Sequence, residues 1–107
     1  MIEIVKQSSG SYHFHLRTED GNSLLKSIDF RSREELNGIV ENLHSLVDDP
    51  MVFERRTNHT GKFLFQIKDR TGRLLGNSQL YNSEAGMENG IKNLRNNIAS
   101  MGRDRTS

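Results

Sequence analysis

The feature that most constrains this chain is that it says nearly the same thing twice. Residues 10–21 read GSYHFHLRTEDG and residues 61–72 read GKFLFQIKDRTG. At an offset of 51 positions, with no gap, Glu3 meets Glu54, Phe14 meets Phe65, Gly21 meets Gly72, Ser27 meets Ser78, Ser32 meets Ser83 and Leu43 meets Leu94. Self-similarity at a fixed offset marks a repeated supersecondary unit, and two copies are too few for a solenoid. A chain of 107 residues has the size of one domain with one core, so the copies must share it. We therefore read 1–107 as a single domain of two repeats, 1–47 and 51–101, with a frayed tail over 102–107. Asp48-Asp49-Pro50, which holds the only proline, is the natural link.

Within each copy the apolar period changes from two to about 3.6. Tyr12, Phe14 and Leu16 alternate with His13, His15 and Arg17, and Phe63, Phe65 and Ile67 alternate with Leu64, Gln66 and Lys68. That pattern predicts half-buried strands. Shorter strands precede them, around Ile2 to Val5 and Val52 to Arg56. Turns at Asp20-Gly21 and Thr71-Gly72 lead to third strands over roughly Ser23 to Phe30 and Arg73 to Tyr81. Adjacent Leu24-Leu25 and Leu74-Leu75 must face opposite ways there unless a bulge intervenes. Ser32 followed by Glu35 forms a capping box, and Ser83 caps a second helix without the reciprocating glutamate. Apolar stripes follow: Leu36, Ile39, Val40, Leu43, Leu46 and Val47 in one helix, and Met87, Ile91, Leu94, Ile98 and Met101 in the other. Gly38 and Gly90 lie inside these helices; a close approach of helix to sheet would justify Gly90. The reading is an α+β fold in which two tandem β-β-β-α repeats form one antiparallel sheet of about six strands.

The second copy, GKFLFQIKDRTGRLLGNSQLYNSEAGMENGIKNLRNN, resembles the YegP-like family, a small tandem-repeat domain of unknown function. The resemblance runs from Ile2 to about Asn97 and is carried by Gly61-Lys62-Phe63, Phe65, Gly72, the Ser78-Gln79, Tyr81 and Ser83 run, and Gly90-Ile91. The first copy departs from it, with Ile28 in place of Gln79, Phe30 in place of Tyr81 and Ile39 in place of Gly90. The resemblance implies both helices packed on one sheet face and leaves open whether they are exchanged between copies. It brings no catalytic residue with it.

Composition narrows the function classes. Leu, Ile, Val and Phe make up 27 of 107 residues, enough for a thin core. The chain has no cysteine, which removes disulfides, thiolate metal sites and thiol chemistry. No apolar run is long enough to span a membrane, and the opening MIEIVKQSSG lacks the layout of a signal peptide, so we expect a cytoplasmic protein without membrane association. Net charge is +1 but uneven: residues 1–50 carry five basic and nine acidic side chains, and residues 51–107 carry ten and five. An acidic half of one molecule can meet the basic half of another.

The sheet face without helices is expected to present His13, His15 and Arg17 beside Gln66 and Lys68, with Gln79 and Tyr81 as candidates for lining a small groove. His13 and His15 could supply two metal ligands, but no third is visible, so no metal or cofactor is expected. Arg55, Arg56, Lys62, Lys68, Arg70, Arg73, Lys92 and Arg95 raise nucleic-acid binding as the alternative. Against it, the strand aromatics fall on the inward parity and are not free to stack bases. No phosphate-binding glycine loop or nucleophile elbow appears, and nothing sets a base beside Ser27 or Ser78; we read those serines as small residues packed near the helix or hydrogen-bonded at a bulge. The expectation is a non-enzymatic interaction module that binds a protein partner or itself through an open sheet edge or its helix layer.

Overall fold

A computed structural model describes residues 2–106 of the backbone and the side chains of 2–101. The tail expected to fray, 102–107, falls outside the described side chains. Three strands, β1 (Ile2–Lys6), β2 (Tyr12–Arg17) and β3 (Ser23–Ser27), lead into helix α1 (Arg33–Leu46). A short 3-10 turn at Pro50–Val52 then starts the same order again: β4 (Phe53–Thr57), β5 (Phe63–Lys68), β6 (Leu74–Asn77) and α2 (Glu84–Thr106). The strands join into one six-stranded sheet in the order β1-β2-β3-β6-β5-β4, antiparallel throughout. The halves meet at β3 and β6, where Lys26↔Asn77 and Ser27↔Gly76 pair and the Ile28 N–H donates to the Leu75 carbonyl just beyond them.

The turns follow from glycine. Gly21 and Gly72 adopt φ of 89° and 90°, a conformation that costs a residue with a Cβ far more. The serines explain why the third strands end at Ser27 and Asn77, short of the expected Phe30 and Tyr81. Ser27 Oγ accepts from the Phe14 N–H at 2.8 Å and donates to the Ile28 carbonyl, and Ser78 Oγ accepts from the Phe65 N–H at 2.9 Å and donates to the Gln79 carbonyl. A hydroxyl therefore replaces a ladder partner, and the strand leaves regular pairing. Pairing resumes at single bridges, Tyr12↔Phe30 and Phe63↔Tyr81. The adjacent leucines are accommodated by register shifts at Leu16/Arg17 and Ile67/Lys68, so that Leu24 and Leu25 are both buried.

Both helices start as the sequence dictates. Ser32 Oγ accepts from the Glu35 N–H and Ser83 Oγ from the Gly86 N–H. The Glu35 carboxylate does not complete its capping box; it pairs instead with Arg73 at 3.2 Å, tying α1 to the second half. Helix α1 packs on β2 of its own half, while α2 packs on β5 and reaches across the seam to β3. The helix-facing residues Phe14, Leu16, Leu25, Phe65, Ile67 and Leu75 share one cluster with Leu36, Leu43, Met87 and Leu94. Each such side chain contributes about 1.5–3 kcal/mol on leaving water. Gly90 has the packing reason expected of it, since Tyr81 fills the space beside it. Nothing in the structure explains Gly38.

Candidate functional site

Strand pairing fixes what the helix-free face presents. Following the register across the sheet, Glu3 pairs with His15, His15 with Lys26, Lys26 with Asn77, Asn77 with Gln66 and Gln66 with Glu54. An unbroken polar row thus crosses all six strands on one face, because successive side chains of a strand alternate sides. His13, Arg17, Leu64 and Lys68 flank it, so five of the expected surface residues share this face: His13, His15, Arg17, Gln66 and Lys68.

These side chains are organised mainly by one another. Arg56 donates to Gln66 Oε1 at 2.8 Å, and Gln66 Nε2 donates to Asn77 Oδ1 at 2.9 Å. Glu54 pairs with Arg56 at 2.6 Å and also with Lys68. The hydrogen bond from Lys68, with the nearby Arg56 charge, holds the Glu54 carboxyl below its ordinary range. In the other half His15 Nε2 lies 2.6 Å from Ser23 Oγ, and Arg17 donates to His15 Nδ1 at 3.1 Å. With Nδ1 accepting, Nε2 carries the proton and donates to Ser23. Burial and then the Arg17 charge lower the His15 pKa. His13 accepts from Gln7 at 3.0 Å and lies 3.9 Å from Asp29. The two imidazoles therefore serve different partners, and among the described residues no group of three His, Cys, Asp or Glu side chains is placed to hold a metal.

Tyr81 does not join this face. Gln79 is exposed beyond the end of β6, and the Tyr81 hydroxyl turns to the helix side, where it is buried against Gly90 without a hydrogen-bond partner. Sequence reasoning missed Lys26 and Asn77, which lie at the centre of the row. Their signal was parity: Lys26 lies two residues after Leu24 and Asn77 two after Leu75, beyond the register shift that defeats simple alternation.

On the helix side a groove of about 510 Å³ lies between β4 and α2, lined by Arg55, Glu88, Ile91, Lys92 and Arg95 among others. Arg55 and Glu88 make a two-bond ion pair across it, which lowers the Glu88 pKa and raises that of Arg55. Among the described residues no serine, threonine or histidine lines it. Five of the ten basic residues of the second half stand beside carboxylates: Arg55 pairs with Glu88, Arg56 and Lys68 share Glu54, and Arg73 pairs with Glu35, with Arg70 3.9 Å from Asp49.

The DUF1508 family, described as a domain of unknown function, matches residues 58–103. A UPF0339 protein encoded in the 5′ region of the ptx operon of Stutzerimonas stutzeri is 31% identical over 96 residues, covering 89% of this chain and 86% of that protein. The chain belongs to the UPF0339 family. UPF0339 protein YegP of Escherichia coli K12 is 26% identical over 99 residues, covering 92% of this chain and 90% of that protein. The solution structure of E. coli YegP, described as a protein of unknown function, superposes with a TM-score of 0.84 at 26% identity, covering 91% of this chain and 84% of that one. That of UPF0339 protein SO3888 from Shewanella oneidensis gives 0.85 at 23% identity, covering 92% and 83%, a likeness of fold. The YegP-like resemblance read from Ile2 to about Asn97 is therefore correct, and the α+β fold is that of the UPF0339 structures. Among the described residues no helix is long and apolar enough to cross a membrane.

Proposed function

We propose that this UPF0339 chain is a small non-enzymatic interaction module that binds protein partners through its sheet. The observation that supports this most is the helix-free face: a platform crossed by one polar row, much of it held in place by its own hydrogen bonds. Such preorganisation lowers the entropy cost of forming an interface. An enzymatic reading draws no support from Ser27 and Ser78, which spend their hydroxyls on the backbone, nor from Ser23, whose neighbour His15 already carries its proton on the facing Nε2 because Nδ1 accepts from Arg17. The nucleic-acid alternative loses support from the ion pairs that engage four of the ten basic residues of the second half, and from Phe14 and Phe65 being wholly buried.

The test is a photocrosslinking residue placed at Lys26 on the platform or at Glu41 on the exposed side of α1, with irradiation in cells. Protein adducts from Lys26 and not from Glu41 are expected. Equal yields from both positions, or none from Lys26, would remove the reading. Titration with single-stranded and duplex oligonucleotides across a salt series tests the alternative, for which a steep loss of affinity with salt is the signature.

A further inference from the structure

The outer strands carry more information than their exposure. This inference rests on the binding-module reading and names one partner for it. β1 and β4 are each paired on one side only. The Gln7 N–H donates to the Ser11 carbonyl and the Asn58 N–H to the Lys62 carbonyl, which sets the phase of each ladder. Because hydrogen-bonded and non-bonded pairs alternate along antiparallel strands, the backbone groups of Glu3 and Val5 turn toward β2, and those of Ile2, Ile4 and Lys6 turn outward. By the same alternation Glu54 and Arg56 turn toward β5, and Phe53, Arg55 and Thr57 turn outward. Of these outward groups, the Phe53 N–H is already used by the Pro50 carbonyl.

We propose that the β4 edge of one copy receives the β1 edge of a second copy, head to tail, continuing the sheet. In a six-stranded antiparallel sheet the first and last strands run in opposite directions, so a second copy laid alongside without being turned over meets the first antiparallel, with its helices on the same side. Full overlap of the two five-residue strands sets Ile2 against Thr57, Glu3 against Arg56, Ile4 against Arg55, Val5 against Glu54 and Lys6 against Phe53. In that register outward backbone meets outward backbone, and Glu3 faces Arg56 on the helix-free side. Sliding by two residues sets Glu3 against Glu54 one way and Lys6 against Arg55 the other, both like-charged. The alternatives are poorer: two β4 edges put Arg55 opposite itself, and two β1 edges bring together two halves of net −4. Head to tail, a half of −4 meets a half of +5. The two copies of the repeat differ at these edge positions, Ile4 and Val5 standing where the second has Arg55 and Arg56.

The experiment is sedimentation velocity on the full chain at low salt over a concentration series. The mass is expected to climb past the dimer, since a head-to-tail contact that does not close keeps growing. Ile4→Pro and Arg55→Pro each remove an outward N–H, a change that edge strands tolerate. Each variant alone should remain monomeric, whereas their mixture should form a dimer and stop. With folding checked by circular dichroism, Glu3→Arg and Arg56→Glu give a second route. Each should weaken association about two- to fivefold, and the two together in one chain should restore it. A wild-type monomer at every concentration, a mass that levels at the dimer, or dimers of Arg55→Pro alone would overturn the proposal. Those results leave the Lys26 adducts untouched, whereas missing Lys26 adducts would strike the binding reading and not the edge contact.

Discussion

The Tyr81 hydroxyl occupies the space that a side chain on Gly90 would need: a Cβ there would stand 2.2 Å from Oη and 2.5 Å from Cζ. Alanine is the better helix former by about 1 kcal/mol, yet Gly90→Ala is expected to destabilise by about 2–3 kcal/mol, because the clash outweighs propensity. Urea denaturation of the two proteins measures the difference. The first half carries Ile39 and Phe30 at the matching positions, so the same fold tolerates a side chain where the ring has no hydroxyl.

Tyr81→Phe removes a buried hydroxyl that has no hydrogen-bond partner. Stability should hold or rise by about 1 kcal/mol, the range for relieving an unsatisfied polar group. Combined with Gly90→Ala it should recover part of the loss, and a double-mutant cycle with no coupling between the two would refute the contact.

The serine at each bulge can be tested separately. Ser27→Ala and Ser78→Ala each leave one N–H, of Phe14 or Phe65, without its acceptor. A loss of about 1–3 kcal/mol is expected. Ser27, 6% exposed, should cost more than the half-buried Ser78. Faster hydrogen exchange confined to the Phe14 or Phe65 amide would identify the cause.

His15 makes stability depend on pH. Its pKa in the fold is lowered, by burial first and Arg17 next, so the folded state favours the neutral ring. The unfolded chain then takes up the proton first. The contribution of His15 is fully present above its ordinary value of 6.5 and is lost as pH falls below it toward the folded pKa. His15→Gln, which copies Gln66 of the other half, should flatten that part of the stability curve. Chemical denaturation between neutral pH and the onset of carboxylate protonation is the measurement, and an unchanged slope in the variant would assign the dependence elsewhere.

Glu88→Gln breaks a charge pair that is open to solvent on both sides. Only about 0.2–1 kcal/mol is expected, shrinking as salt rises. A larger, salt-independent loss would mean that the groove between β4 and α2 depends on this pair for its packing.

What the sequence made legible was whatever each repeat states locally. The alternation of Phe14 and Leu16 with His13 and His15, the turn glycines, and the Ser32 and Ser83 caps each depend on neighbours a few residues away, and each appears where expected. What it concealed depends on the other half. Glu35 abandons its capping box because Arg73, far along the chain, offers a full charge. Tyr81 faces the helix because α2 carries Gly90 in reach. Lys26 and Asn77 come to the middle of the platform only once β3 and β6 pair, and the bulges hide their parity.

The narrow joint between β3 and β6 sets an order of events. Every other ladder links strands adjacent in sequence, so its loops are short and its hairpins close early. Joining β3 to β6 instead spans an intervening helix and two strands, a far larger loop rewarded by two residue pairs and one more backbone hydrogen bond, from Ile28 to Leu75. Two preformed three-stranded halves should therefore meet late and part first under stress, with the shared apolar layer beneath the helices acting as the adhesive.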